Sequence, residues 1–262
     1  MSQVPIPSSY ENLAAAWRAI RATHGLRLRE VACVGAPRTL LIAELGDPHA
    51  PLVAISAGVH GDEPAAPWAL YALVRDGLLD PRFRYRLWPC VNPTGFAAGT
   101  RANAEGADIN RSFARGGTTP ESRAILTANR DLRFDLAIDL HEDFEAEGFY
   151  LYEPLGPDVP SRFARPVADA VAEGGFPLQC RWEGFDVGPP GSEEAQTCTA
   201  GAVVVDAVRE APAFGGALPL GLVLLRRAAA AALTLESPRS RSWDDRIAIH
   251  RLAVVAALAQ LV

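Results

Sequence analysis

The chain has 262 residues, about half of them hydrophobic (49%), with a formal net charge of −6 and a pI near 5.4. That length suits a single α/β domain over residues 1–262 better than two small ones, and the apolar fraction excludes wholesale disorder. Lysine is absent and the arginines are dispersed along an acidic chain, which argues against a nucleic-acid-binding face.

In chain order, residues 9–22 carry Leu13, Trp17 and Ile20 at helical spacing and are expected to form an amphipathic helix. Residues 28–34 and 38–45 read as paired strands joined across Gly35-Ala36-Pro37. The mostly apolar run 52–57 is the pattern of a buried parallel strand, and 64–77 follows as a helix with proline in its first turn. A strand at 85–91 is expected to end at Asn92-Pro93-Thr94-Gly95, with a long Gly/Ala-rich loop from there to Gly117. A helix at 120–130 precedes a short strand at 136–140 that delivers His141 at its end. Beyond it, 162–173 reads as a helix and 182–201 as a polar Gly/Pro-rich excursion able to form a lid or pocket wall. Strand 203–205, helix 218–229, strand 231–235 and a last helix 244–261 close the chain. Alternation of this kind predicts an α/β fold with a mixed, mainly parallel central sheet and helices on both faces.

Cys33, Cys90, Cys180 and Cys198 are far apart and form no CxxC pair, so buried free thiols are expected. The N-terminal stretch lacks a basic segment followed by an apolar one, and no run reaches the ~20 apolar residues of a membrane span. A cytoplasmic protein without membrane or nucleic-acid partners is the expectation; oligomeric state is not legible.

Three groups of residues carry chemistry. His60-Gly61-Asp62-Glu63 places an imidazole and a carboxylate three residues apart just past the 52–57 strand, and His141 follows another strand in Asp139-Leu140-His141. Ligands gather at the carboxyl ends of strands in open α/β sheets, and two imidazoles plus a carboxylate leave a position for water on a catalytic zinc. Arg101 and Arg111, with Asn110 beside them, could meet a substrate carboxylate or a developing oxyanion. Glu236, in Leu233-Thr234-Leu235-Glu236-Ser237-Pro238, could act as a general base at a strand end.

Together these residues resemble the zinc carboxypeptidase family, the carboxypeptidase A-like metallopeptidases, and the related succinylglutamate desuccinylase and aspartoacylase group. The resemblance runs in order over about residues 50–240: HGDE for the family's His-x-x-Glu, then Arg101, then Asp108-Ile109-Asn110-Arg111, then His141, then Glu236. It implies one zinc ion held by His60, Glu63 and His141, and a catalytic Arg101 that polarises the scissile carbonyl. It further implies that Asn110 and Arg111 hold the substrate's free carboxylate, Glu236 is the base, and Asp108 orients a ligand histidine. The implied activity is metallocarboxypeptidase-like cleavage of an amide bond in a small peptide. N-acyl amino acid deacylation, or metal-dependent carboxylate binding without turnover, are the alternatives. In digestive members a mobile loop before the late glutamate supplies a tyrosine; here residues 211–220 hold Phe214 and no tyrosine, and Tyr150 and Tyr152 read as strand residues. The closing helix is like that of the peptidases, whereas the short interval between Glu63 and His141 is like that of the acylases. Glu142, Asp143, Glu145 and Glu147 are expected to face water.

Overall fold

A computed structural model of the chain describes residues 9–155, 159–179, 196–199, 201–206 and 219–261. Helix α1 (Tyr10–Ile20) starts where the Ser9 side chain accepts the Asn12 N–H, and it buries Leu13, Trp17 and Ile20. Strands β1 (Arg27–Val31) and β2 (Leu40–Leu45) pair antiparallel, as their sequences predict. Strand β3 (Leu52–Ala57) is buried throughout and is followed by α2 (Ala65–Arg75), then by β4 (Arg84–Trp88).

The expected loop from Asn92 to Gly117 holds regular structure instead. Asn92 caps α3 (Pro93–Ala98) by accepting the Gly95 N–H, and single 3-10 turns follow at Ile109–Arg111 and Ala114–Gly116. Helix α4 (Pro120–Ala128) begins at a reciprocal Thr119–Ser122 capping box. Then come β5 (Leu136–Asp143), β6 (Tyr150–Leu155), α5 (Ala164–Glu173), β7 (Gln196–Thr199) and β8 (Ala202–Asp206). Helix α6 (Leu220–Arg227), β9 (Ala232–Pro238) and α7 (Trp243–Ala259) complete the described residues. Two boundaries differ from expectation in a way that matters: β5 runs on through His141 to Asp143, and β9 runs on through Glu236 to Pro238.

The nine strands among the described residues form one mixed sheet in the order β1-β2-β4-β3-β5-β9-β6-β8-β7. The centre, β4-β3-β5-β9, is parallel, whereas β1 and β2 on one side and the β9–β6 pairing on the other are antiparallel. Alternate residues of the central strands serve two cores. Val53, Ile55, Ile138, Leu140, Leu233 and Leu235 pack with α1, α2, α5 and α7. Leu52, Ala54, Ala137 and Ala232 pack on the other face with α4 and α6. Cys33 and Cys90 are buried free thiols, as expected; Cys180, like most of 182–201 and all of 211–218, lies outside the described residues. Among the described residues no helix is long and apolar enough to cross a membrane.

Candidate metal centre and active site

The parallel strands β3, β5 and β9 bring the candidate residues to one end of the sheet. Past β3 the chain turns through His60 to Glu63, immediately before α2. Gly61 is required in that turn, because a Cβ there would sit 2.0 Å from the Gly95 carbonyl carbon and 2.2 Å from the Phe96 nitrogen. The His60 loop therefore rests directly on the start of α3.

His141 is not at a strand end but inside β5, in register with Glu236 on β9, which is in turn in register with Tyr150 on β6. Directly paired residues project to the same face of a sheet. His141, Glu236 and Tyr150 consequently form one row across three strands, on the face that carries α4 and α6.

His60, Glu63 and His141 are buried, with exposures of 3%, 2% and 2%, and each offers a donor atom within 4.8 Å of the others. The two rings lie 4.9 Å apart. Glu63 bridges them, with Oε1 2.5 Å from His60 Nδ1 and Oε2 2.9 Å from His141 Nδ1. The far nitrogen of each ring meets a carboxylate: His60 Nε2 is 3.3 Å from Asp108 Oδ1, and His141 Nε2 is 3.1 Å from Asp139 Oδ2. The His141–Asp139 contact is a hydrogen bond, and an imidazole that commits its Nε2–H to a carboxylate turns its Nδ1 lone pair the other way; His60 Nε2 lies at ion-pair distance from Asp108 without a hydrogen bond. Arg101 Nη1, 3.3 Å from His60 Nδ1, donates to the lone pair there. Three electron-pair donors converging in this way, each imidazole backed by its own carboxylate, fit a divalent cation of the zinc type.

Without a cation, the same carboxylates favour protons on the two rings. Burial opposes protonation of His141, yet Glu63, Asp139 and Glu236 together hold its pKa well above the ordinary range. Burial opposes ionisation of Glu63 as well, but the His141 and His60 rings bring its pKa down. Glu236 moves the other way: burial raises its pKa, and the Glu63 and Asp143 charges add to the effect against the pull of His141. A carboxylate kept basic in this way suits proton transfer.

Arg101 lies beside the histidines, with Nε and Nη2 3.1 and 3.0 Å from Asp108 Oδ2. Its carbonyl accepts the Asn92 side-chain N–H, so the α3 cap also anchors the arginine. Asn110 is held by the Leu220 N–H on its Oδ1, which leaves its Nδ2 as a donor, and Arg111 extends from the same 3-10 turn. Of the residues singled out in the sequence, all but Asp108 line one cleft of about 500 Å³. Among the described residues its remaining wall includes Asp143, Phe144, Tyr150, Tyr152 and Leu222. Tyr150 and Tyr152 are strand residues as expected, and they also face the cleft; Tyr150 donates to Asp143 Oδ2 at 2.5 Å.

The sequence reading assigned no role to Asp139, although the period of two in a strand puts it on the same face as His141. It also left Glu142 in water, whereas Glu142 is fully buried, forms an ion pair with Arg246 and accepts the Ala65 N–H at 2.6 Å.

A parallel-centred sheet with a buried His-Glu-His group, two members from the loop after β3 and one from within β5, defines a metallocarboxypeptidase-like hydrolase. The model of the succinylglutamate desuccinylase/aspartoacylase catalytic domain matches residues 49–203, and the chain belongs to that family, within the wider zinc carboxypeptidase-like group. Over 60 residues it is 45% identical to murein peptide amidase A of Escherichia coli strain K12. That alignment takes in 22% of this chain and about a quarter (24%) of the relative's length. A provisionally assigned metallopeptidase from Shewanella amazonensis SB2B superposes with a TM-score of 0.77 at 24% identity, over 97% of this chain and 94% of the other. A metallo-carboxypeptidase from Burkholderia cenocepacia gives 0.66 at 20% identity, over 95% and 68% of the two chains. Both establish likeness of fold. The family match ends before Glu236, so the role of that residue rests on its geometry.

Proposed function

We propose that this chain is a zinc-dependent hydrolase that cleaves an amide bond next to a free carboxylate in a small peptide or N-acyl amino acid. The carrying observation is the row His141–Glu236, which sets a basic carboxylate beside the converging Nδ1 atoms and the Glu63 carboxylate. His60, Glu63 and His141 are the zinc ligands in this reading, with Asp139 fixing the tautomer of His141 and Asp108 at ion-pair distance from His60. A bound zinc supplies Lewis-acid polarisation and an acidified water. Glu236 takes the proton of the attacking water and returns it to the nitrogen as the carbon–nitrogen bond breaks. The oxygen adds to the carbonyl carbon and leaves as part of the new carboxylate. Arg101 offers its guanidinium to the developing oxyanion, while Asn110 Nδ2 and Arg111 receive the substrate's free carboxylate.

N-acyl amino acid deacylation is the second reading, and the family match to the desuccinylase/aspartoacylase catalytic domain favours it. Parallel assays with N-acyl amino acids and with blocked dipeptides separate the two. The mechanism itself is tested by Glu236→Gln. This variant should bind zinc as tightly as the parent and lose roughly a hundred- to ten-thousand-fold in kcat. Parental turnover in the zinc-loaded variant sinks the glutamate-base mechanism.

A further inference from the structure

Helix α2 begins at Ala65, two residues after Glu63, and its N-terminus has no local side-chain cap: Pro64 occupies the cap position. The first N–H of the helix, on Ala65, is instead accepted at 2.6 Å by Glu142, which is 77 residues away on β5. Glu142 is the neighbour of His141, and alternation along the strand sends its side chain to the α2/α7 face while His141 faces the cleft. The Glu142 backbone N–H, in turn, donates to Glu63 Oε2 at 3.1 Å. Side chain and main chain of one residue therefore grip both sides of the Glu63–Ala65 segment. Arg246 of α7 neutralises the Glu142 carboxylate, which has no solvent exposure.

A buried carboxylate is an expensive way to hold two apolar elements together, since a hydrophobic side chain of similar size would pack there with no charge to desolvate. What a carboxylate adds is a strong, directional bond to a helix N-terminus, favoured by the helix dipole. Here that bond fixes the start of α2 against the strand that carries His141.

We propose that Glu142, held by Arg246, is a positioning residue that sets the separation of Glu63 and His141, and so tunes the affinity of the metal centre without touching the metal or the substrate. This inference rests on the zinc-site reading above. Zinc affinity measured by chelator competition, together with the absorption spectrum of the cobalt-substituted protein, tests it in the full chain. Glu142→Leu removes the acceptor and should weaken zinc binding about ten- to a hundred-fold with a changed cobalt spectrum, the scale at which groups supporting a ligand act. Glu142→Gln keeps an acceptor for Ala65 and should restore affinity to within about threefold of the parent. If Glu142→Leu does not fold, Glu142→Asp gives the same reading, because it keeps the charge but falls one methylene short of Ala65. A folded Leu or Asp variant with parental zinc affinity and spectrum overturns the inference, as does a Gln variant as weak as Leu. A parental chain that takes up no divalent metal overturns both this inference and the zinc reading, which distinguishes the two failures.

Discussion

At the scale of single residues, the two histidines are defined by the atoms behind them. Asp139 holds His141 through Nε2 and is itself fixed by the Ser56 hydroxyl, which donates to its Oδ1 at 2.7 Å across the β3–β5 register. Replacing Asp139 with Asn keeps the shape but offers an amide N–H where the imidazole needs an acceptor. The ring is then driven towards the tautomer that protonates Nδ1, the atom turned to Glu63. Asp139→Asn should therefore lower zinc affinity about ten- to a hundred-fold while leaving the melting temperature of the metal-free protein close to that of the parent. Isothermal titration with zinc, beside thermal melts in chelator, provides the check, and unchanged affinity would remove Asp139 from the site. The contrast with Glu236→Gln is useful: one substitution acts on the metal, the other on turnover.

Elements explain why these residues were visible in sequence while their arrangement was not. Strand β3 was legible to the residue because its pattern, Leu52 to Ala57, is apolar at every position but Ser56. Strand β5 was cut three residues short because His141, Glu142 and Asp143 are polar, and a polar run after an apolar one reads as loop. Their backbone is nonetheless paired with Glu236, Ser237 and Pro238, and the side chains find partners on opposite faces of the sheet. Helix α3 was hidden for a related reason: Asn-Pro-Thr-Gly serves a turn or a helix start equally well, and only the Asn92–Gly95 bond decides. A second ion pair was also out of reach, since half-buried Glu44 and buried Arg86 become neighbours only through the β2–β4 register. Arg86 is buried there and ties the sheet to the end of α4 through Asn129 Oδ1 and the Ala128 carbonyl. Burial pushes the Glu44 pKa up, but the Arg86 guanidinium more than offsets it, and the net shift is downward from 4.5. A carboxylate with a depressed folded-state pKa stabilises above its unfolded pKa and loses that contribution as pH falls through the folded value. Glu44→Gln should accordingly cost about 1 kcal/mol at pH 7, solvent screening of the half-exposed carboxylate included, and progressively less as the carboxylate is protonated at acid pH. Urea midpoints of parent and variant that stay equally far apart at pH 3 would show that the charge is not what matters.

For the molecule as a whole, the candidate metal centre works as a long-range cross-link. His141 and Glu63 are 78 residues apart in sequence, and the donor groups join the His60–Glu63 loop to the interior of a parallel strand. Parallel pairing of this kind costs loop entropy that local contacts do not repay, so a bond made only in the folded state has leverage on stability. An ion that binds the native chain and not the unfolded one stabilises it by RT ln(1 + [L]/Kd), about 4 kcal/mol when its concentration is a thousand times Kd. For a chain of this size that corresponds to a shift in melting temperature on the order of 10 °C. Chelator should lower the melting temperature of the purified protein by that order, and zinc should restore it. Magnesium should not, because two imidazoles and one carboxylate are a poor match for a hard cation that prefers oxygen ligands. Rescue by magnesium as complete as by zinc would show that the donor set is not being used as its geometry suggests. Melting curves that superimpose with and without chelator, on protein shown to contain metal before treatment, would mean that the cross-link adds nothing to the fold, and that the buried His-Glu-His group is kept for chemistry alone.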